Sequence, residues 1–387
     1  MSTRTQKPAS PLRARGLGLD FDGTPGPCNA ITDVAGILVG HKTLIEGSGA
    51  KAIRTGVTAI LPRGHASVTP VFAGWETINA AGEMTGTTWL HERGYVNGPI
   101  MITNTHSVGV VRDAAAEWIV KAGWPGKWHT PVVGETCDAD LNDMNGFHIT
   151  RDDAFEALES ARSGAVEEGN VGGGTGMICY GFKGGIGTAS RVVEMDIGPF
   201  TVGVLVQANY GHRRHLRIGC VPVGKELEHR YLPSFHPDAA APASEHGSLA
   251  ARKGLDNTGD GSIIVVVATD APLLPHQLRR VAKRPALALG RLGGIAEASS
   301  GDIFLAFSTA NDHLTAEQRS TTFNVSMYPN DRLDALFEAA VEATEEAIVN
   351  ALVGAETMTG RDGLTVCSLP HDEVRRLVQK YSASTAT

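Results

Sequence analysis

The apolar residues of this chain fall into short β-branched runs and into longer segments with helical spacing. The short runs predict a strand, turn and strand over 31–41, and single strands at 56–62, 191–195, 201–207, 263–268 and 303–308. Apolar positions three and four residues apart predict helices at 78–93, 107–122, 275–292, 332–352 and 369–381. Strands and helices are mixed without strict alternation, which indicates stacked layers of sheet and helix rather than a Rossmann fold.

Three segments carry signals beyond hydrophobic spacing. Thr150 followed by Asp153 resembles a capping box and predicts the start of a helix that runs through Ala161. Residues 1–27 are basic and punctuated by proline and glycine, which predicts a flexible arm. Residues 232–259 are rich in Pro, Ala, Ser, His and Gly, which predicts a surface loop directly before the strand at 263–268.

Composition excludes several classes of function. The chain has 387 residues, of which 42% are hydrophobic and 20% charged, as is usual for a globular protein with one large or two ordinary domains. A net charge of −8 argues against a nucleic-acid-binding surface. No segment reaches the roughly 18 consecutive apolar residues of a membrane span. We therefore expect neither nucleic acid nor a membrane as a partner.

Cysteine and histidine spacing gives no sign of a metal site. The five cysteines are scattered and form no Cys-x-x-Cys pair. Such spacing fits free thiols in a reducing compartment, and residues 1–26 contain no apolar run of signal-peptide length, so we predict a cytoplasmic protein. The run 212–215 and the pair Glu226 and His229 have basic neighbours that repel a cation. We interpret the first run as a solvated basic loop and expect no metal and no organic cofactor.

A glycine-dense segment over 169–176 continues through 184–190. It contains neither the Gly-x-x-x-x-Gly-Lys-Ser/Thr pattern of a phosphate loop nor a clean Gly-x-Gly-x-x-Gly between a strand and a helix. Nucleotide binding therefore remains only a weak alternative. Glycine lets two backbones approach closely, so we favour packing of this segment against a substrate or a nucleophile.

The most informative motif is Gly261-Ser262, placed directly before the apolar run 263–268. Cleavage of the Gly261–Ser262 bond would give Ser262 a free α-amine beside its hydroxyl. An α-amine has a pKa of about 7.7–8.0 and can act as general base for that hydroxyl, as in N-terminal nucleophile enzymes. The alternative is an ordinary turn before a strand, because the preceding Asp-Gly is a common turn dipeptide.

Four other polar residues are candidates for the same site. Asn209 ends an apolar strand, where it either caps a turn or donates to an oxyanion. Ser300 and Asp302 precede the strand at 303–308 and either form an ordinary turn or orient the nucleophile. Glu135 follows an apolar stretch and is either a surface carboxylate or the partner of a substrate ammonium.

Taken together and in order, these motifs resemble the DmpA-type aminopeptidases, a family that comprises L-aminopeptidase/D-esterases and β-peptidyl aminopeptidases. The matching strings span nearly the whole chain: 29–37, 169–176 with 184–191, 207–211, 261–270 and 300–311. The resemblance implies an α+β fold with a four-layer αββα sandwich, like that of the ornithine acetyltransferases. It also implies self-cleavage between Gly261 and Ser262.

After the arm 1–27, cleavage would leave an α chain (28–261) and a β chain (262–387) of one catalytic domain. The resemblance further implies a homo-oligomer, a tetramer of αβ units. In the residues that match, it implies that Ser262 is the nucleophile and that Asn209 contributes to the oxyanion hole. Ser300 and Asp302 would support the nucleophile, and Glu135 would bind the free amine of the substrate.

The implied activity is hydrolysis of short peptides, amides or esters with a free N-terminal amine (α-L, D or β-amino acyl) through an acyl-Ser262 intermediate. Two alternatives stay open. One is an acyltransferase of the ornithine acetyltransferase type, although that family exposes threonine rather than serine at the new N-terminus. The other is a binding protein that keeps the fold without cleavage or catalysis.

Overall fold

Two β-sheets packed face to face form the centre of the molecule. We describe it from a computed structural model, which covers residues 12–385 apart from 66, 68, 125, 236–260, 314–321 and 323. The strands are β1 (Leu38–Glu46), β2 (Ile53–Leu61), β3 (Val71–Ala80), β4 (Tyr95–Val96), β5 (Ile100–Asn104), β6 (Val132–Thr136), β7 (Ile178–Cys179), β8 (Phe182–Lys183), β9 (Gly185–Val193), β10 (Phe200–Asn209), β11 (Ser262–Thr269), β12 (Gly301–Ser308), β13 (Met358–Thr359) and β14 (Thr365–Val366).

Helices cover the outer faces of the two sheets. They are α1 (Thr87–Arg93), α2 (Val108–Lys121), α3 (Arg151–Glu159), α4 (Val223–Glu226), α5 (Pro275–Ala282), α6 (Pro285–Arg291), α7 (Asp334–Val353) and α8 (His371–Thr385). Among the described residues, no helix is both long enough and apolar enough to cross a bilayer.

Strand order places the start of β11 near the middle of the larger sheet. This sheet has six strands in the order β4-β3-β12-β11-β10-β9, and the smaller sheet has four in the order β1-β2-β5-β6. Strand β11 runs antiparallel to β10 and parallel to β12. The first residues of β11 and β12 therefore lie beside the last residue of β10.

The alternation of side chains along β11 explains the layers. Every residue of this strand is buried, as a run of Val and Ile predicts. Its even-numbered residues 264–268 pack between the two sheets, and its odd-numbered residues 263–267 pack with α5, α6 and α7. Helices α2 and α3 cover the far face of the smaller sheet. The layers are helix, sheet, sheet and helix, which confirms the predicted αββα sandwich.

Most of the predicted elements are present, but three differ for identifiable reasons. The helix predicted over 78–93 begins only at Thr87, because residues up to Ala80 pair with β12 instead. The helix predicted over 275–292 is two helices, since Pro285 lacks the N–H that would continue the first. The first strand predicted within 31–41 is a 3₁₀ turn, Ile31–Asp33. The capping box of Thr150 and Asp153 is confirmed at the start of α3.

The flexible arm predicted over 1–27 is wrong for its described part. Residues Ala14–Leu17 form a 3₁₀ turn in which Ala14 and Leu17 are buried in the core cluster of α7. The Arg13 guanidinium donates to the Glu168 carboxylate at 2.7 Å, and Arg15 donates to Glu346 at 2.8 Å. These contacts anchor the segment to the sandwich. Residues 1–11 and most of the loop predicted over 232–259 lie outside the described residues.

Candidate active site

Ser262 is the first residue of β11 and lies between the ends of two neighbouring strands. It pairs with Asn209 on β10 and with Gly301 on β12. Its hydroxyl oxygen accepts a hydrogen bond from the Gly301 N–H at 3.1 Å, and its side chain is buried. The hydroxyl is thereby held in a defined position at the rim of the sandwich.

The position before Ser262 has room only for a glycine, Gly261. A Cβ at this position would lie 2.0 Å from the Asn209 carbonyl oxygen and 2.9 Å from the Tyr210 Cα. Both neighbours are backbone atoms, which cannot swing aside as the end of a side chain can. The absence of a side chain is therefore what lets the Gly261–Ser262 peptide lie against the end of β10.

Asn209 is buried with its amide held in one orientation. Its Oδ1 accepts from the Ile178 N–H at 2.8 Å, and its Nδ2 donates to the Cys137 carbonyl at 3.0 Å. An amide nitrogen carries two hydrogens, so one N–H of Asn209 is available besides the bond to Cys137. Because Asn209 and Ser262 are directly paired across the two strands, their side chains share one face of the sheet.

Ser300 and Asp302 flank Gly301, whose N–H binds Ser262. The Ser300 hydroxyl donates to Asp302 Oδ1 at 2.6 Å, and both side chains are fully buried. Asp302 Oδ2 has no hydrogen-bond partner among the described residues. Burial raises the pKa of Asp302 from 3.8 to about 6, against the opposing effect of the Ser300 hydrogen bond and with a smaller contribution from the charge of Glu297.

This raised pKa gives a prediction for stability. Because the folded-state pKa lies above the unfolded value, ionisation of Asp302 opposes folding, and its stabilising contribution is lost as pH rises through about 6. Asp302→Asn keeps an acceptor for Ser300 and removes the charge. We expect it to stabilise the chain by about 3 kcal/mol at pH 7.5 and to have almost no effect near pH 3.8.

Urea unfolding at the two pH values measures this difference. Both chains should carry Ser262→Ala, so that self-cleavage does not change the molecule being unfolded. Equal destabilisation by Asp302→Asn at both pH values would show that the buried charge does not oppose folding.

Glu135 reaches the same region from the smaller sheet. It lies on β6 and is buried, with Oε1 accepting from the Glu83 N–H at 2.8 Å and Oε2 accepting from the Thr105 hydroxyl. Burial raises its pKa, while these two hydrogen bonds act in the opposite direction. A Cβ at Gly82 would lie 3.1 Å from Glu135 Oε1 and 3.3 Å from the Gly301 Cα. The carboxylate is thus separated from the start of β12 by little more than Gly82.

The structure therefore brings together all the predicted site residues. Asn209, Gly261 and Ser262 meet where three strands converge, Ser300 and Asp302 flank the partner of Ser262, and Glu135 faces this junction from the second sheet. The glycine segment is closely packed, but against other parts of the chain, so its predicted packing against a substrate or the nucleophile stays a prediction. A Cβ at Gly173 would lie 2.2 Å from Gln207 Oε1. Ile178, which follows this segment along the chain, donates its N–H to Asn209 Oδ1.

Sequence reasoning missed a second group of polar residues nearby. Glu297 has a side chain that is only 8% exposed, both of its carboxylate oxygens lack a hydrogen-bond partner among the described residues, and His212 Nε2 lies 4.0 Å away. Its charge also acts on Asp302. No local pattern marks Glu297, because its relation to the site depends on how the loop before β12 folds back.

The interpretation of 212–215 as a solvated basic loop is wrong for Arg213. This guanidinium is buried and donates to the carbonyls of Tyr180, Gly181, Arg230 and Tyr231. Among the described residues, no three His, Cys, Asp or Glu side chains are grouped as a metal site requires.

Comparison with known proteins places this geometry in a family. The model of peptidase family S58 matches residues 29–366. A curated relative, the beta-peptidyl aminopeptidase BapA of Sphingosinicella microcystinivorans, is 57% identical over 374 residues, which cover 95% of this chain and 92% of that protein. A second BapA, from Sphingosinicella xenopeptidilytica, is 46% identical over 380 residues, which cover 95% of this chain and 91% of that protein.

A solved structure gives the same result for the fold. The L-aminopeptidase D-Ala-esterase/amidase of Ochrobactrum anthropi, described as a prototype for the serine aminopeptidases and a variant of the Ntn hydrolase fold, is 45% identical with a TM-score of 0.84. The match covers 96% of this chain and 99% of that one. The resemblance noted from the sequence motifs is confirmed: the chain belongs to peptidase family S58.

Proposed function

We propose that this protein is a self-processing serine aminopeptidase that uses Ser262 as an N-terminal nucleophile. Its substrates are short peptides, amides or esters with a free N-terminal amine. The observation that carries the proposal is the junction at which Ser262, Asn209 and Glu135 converge from three strands of two sheets. Family membership and the aminopeptidase relatives support it, and they favour it over acyl transfer or non-catalytic binding.

Self-cleavage begins when the Ser262 hydroxyl oxygen attacks the Gly261 carbonyl carbon. The C–N bond breaks as the C–O bond forms, and the serine proton passes to the released nitrogen. Water then hydrolyses the resulting ester, which leaves a carboxylate on Gly261 and restores the Ser262 hydroxyl beside a free α-amine. The products are an α chain that ends at Gly261 and a β chain over 262–387.

In the mature enzyme, the Ser262 hydroxyl attacks the acyl carbon of the substrate. The α-amine of Ser262 accepts the hydroxyl proton, directly or through Ser300 or water, and later returns it to the leaving amine. The free N–H of Asn209 stabilises the tetrahedral oxyanion, together with a backbone N–H of the glycine segment. Water then hydrolyses the acyl-Ser262 ester and releases the acyl group. During the proton transfers, the buried carboxylate of Asp302 stabilises the ammonium form of the α-amine.

Glu135 accounts for the requirement for a free amine. Its buried carboxylate lies beside Gly82 and the start of β12, within reach of the amino end of a substrate whose acyl carbon is at Ser262. A charge-assisted hydrogen bond in a site shielded from water is stronger than one at the surface. A substrate without an amine would leave this buried carboxylate without a counter-charge, so it would bind poorly.

The experiment that tests the proposal compares a dipeptide amide with its N-acetylated form. We expect acetylation to lower kcat/KM of the wild type by at least about 100-fold. Glu135→Gln keeps the size of the side chain and its bond from Glu83 but removes the charge, so it should lower kcat/KM about 100-fold on the free amine and hardly at all on the acetylated form. Equal losses on both substrates would contradict the amine-binding role.

Gly261 gives a further prediction for self-cleavage. In Gly261→Ala the new methyl group would lie 2.0 Å from the Asn209 carbonyl oxygen, so the end of β10 or the scissile peptide must shift. Because a displacement of about 1 Å is enough to cost about 100-fold in rate, we expect cleavage to slow by at least about tenfold. Intact mass spectrometry after timed incubation measures it.

Gly363→Ala is the matched control for this measurement. A Cβ at Gly363 would meet nothing within 4 Å, although its positive φ makes alanine strained there. We expect this variant to cleave as the wild type does. Cleavage of Gly261→Ala at the wild-type rate would contradict a close fit at this peptide.

The proposal extends to assembly and location. We propose a homo-oligomer of αβ units, a tetramer, in the cytoplasm. Cys28, Cys137, Cys179 and Cys220 form no disulfide, which fits a reducing compartment. Light scattering coupled to size-exclusion chromatography would measure the mass of the assembly, and a mass of one αβ unit would contradict the oligomer.

A further inference from the structure

Lys183 is a buried cation that the proposed mechanism leaves unused. It is the last residue of β8, and its side chain is fully buried. Among the described residues no carboxylate forms an ion pair with it, and burial raises the pKa of the nearby Cys179 thiol to about 12, so the thiol is neutral and supplies no counter-charge. Burial lowers the pKa of Lys183 to about 7, so the side chain carries its positive charge below that pH.

Within the part of the chain that the structure describes, the side-chain nitrogen of Lys183 bonds to three main-chain carbonyls in or next to the glycine segment. It donates to Met177 at 2.8 Å, to Gly184 at 2.9 Å and to Gly174 at 3.3 Å. Burying a cation without a counter-charge is unfavourable, but these bonds also satisfy buried main-chain carbonyls. The lysine therefore ties three carbonyls of this region to one side chain that can carry a positive charge.

One of these carbonyls belongs to the peptide group that holds Asn209. The carbonyl oxygen of Met177 accepts from Lys183, and the N–H of the same peptide group, on Ile178, donates to Asn209 Oδ1 at 2.8 Å. The three groups form an unbroken chain from the ammonium to the Asn209 amide. Hydrogen bonds in such a chain polarise one another, so each donor becomes stronger when the group behind it is bonded.

We propose that Lys183 is a positioning residue for the oxyanion hole, which polarises Asn209 through the Met177–Ile178 peptide group. This inference rests on the proposed function, in which Asn209 donates to the oxyanion. The positive charge draws electron density along the peptide group and the side-chain amide. The free N–H of Asn209 then becomes a stronger donor to the negative charge that develops in the transition state.

The first measurement separates kcat from KM in Lys183→Met. Methionine matches the length of the side chain but has neither its charge nor its donors. Because the effect acts on the transition state, we expect kcat to fall about tenfold per cleaved active site while KM changes less than about twofold. The cleaved fraction is counted by intact mass spectrometry.

Arg213→Met is the matched control. Arg213 is also a buried cation that donates to main-chain carbonyls of the same hairpin, at Tyr180 and Gly181, but it has no link to Asn209. We expect its kcat to stay within about twofold of the wild type. If Lys183→Met does not fold, Lys183→Gln replaces it, since glutamine retains a neutral donor. A fall in kcat no larger than that of Arg213→Met would overturn the proposal.

The second measurement is a double-mutant cycle with Asn209→Ala. If Lys183 acts through Asn209, adding Lys183→Met to Asn209→Ala should change kcat by less than about twofold, because no polarised donor is left. A further tenfold loss in the double variant would overturn the proposal. If the wild type itself is neither cleaved nor active, the proposed function fails. If the wild type is active but Lys183→Met and Asn209→Ala lower kcat independently of each other, only the role of Lys183 fails.

Discussion

Replacing Ser262 by alanine is expected to leave the protein as one chain of 40.7 kDa and to abolish its peptidase activity. Alanine removes the hydroxyl oxygen that accepts from the Gly301 N–H at the start of β12, which is the proposed attacking atom of both reactions. Without attack on Gly261 no α-amine forms at residue 262, so nucleophile and general base are lost together. We expect activity to fall by at least about 10⁴-fold.

The same substitution should hardly affect the fold. The strand from 263 to 269 is fully buried, and its pairing with β10 and β12 does not depend on the serine side chain. Circular dichroism of Ser262→Ala should therefore match that of the wild type. Denaturing electrophoresis and intact mass spectrometry then report cleavage directly.

Ser308→Ala is the matched control for the loss of a buried serine. Ser308 ends β12, at the opposite end of the same sheet, and its hydroxyl donates to the Ala271 carbonyl at 2.6 Å. We expect this variant to cleave and to retain activity. If Ser262→Ala and the wild type gave the same bands, self-cleavage at this bond would be disproved.

The central part of the fold could be predicted because its signal is local. The run of Val and Ile after Ser262 gives the fully buried strand β11, and Thr150 with Asp153 gives the start of α3. Local spacing failed where tertiary pairing decided the outcome. The predicted helix starts at residue 78, but Asn79 and Ala80 instead pair with β12 as the end of β3.

The candidate site could be predicted only in part for a related reason. Ser262, Asn209, Ser300 and Asp302 lie at strand ends, which apolar runs reveal, and the family resemblance supplied their implied roles together with that of Glu135. Lys183 gave no such signal, because a lysine in a glycine-rich stretch looks exposed in the sequence. Its burial follows from the way the 174–184 segment folds around it, which the spacing of apolar residues does not report.

The oxyanion hole should be the second most sensitive part of the site, and it can be tested separately from the nucleophile. Asn209→Ala leaves Ser262, Gly301 and the α-amine in place but removes the N–H that we propose as a donor to the oxyanion. Loss of one such donor costs about 100- to 1,000-fold in kcat in other hydrolases, and we expect a similar loss here with KM little changed.

Asn350→Ala separates this effect from the cost of deleting a buried amide. Asn350 on α7 makes the same kinds of bond as Asn209: its Oδ1 accepts from the Ala14 N–H at 3.0 Å, and its Nδ2 donates to the Thr188 carbonyl at 3.0 Å. Both variants should lose about 1–3 kcal/mol of stability, since each removes the acceptor of a main-chain N–H, that of Ala14 or that of Ile178. Only Asn209→Ala should lose kcat, because only Asn209 is paired with Ser262 across the strands. Equal kcat values for the two variants would remove Asn209 from the mechanism and leave the backbone N–H groups of the glycine segment as the donors to the oxyanion.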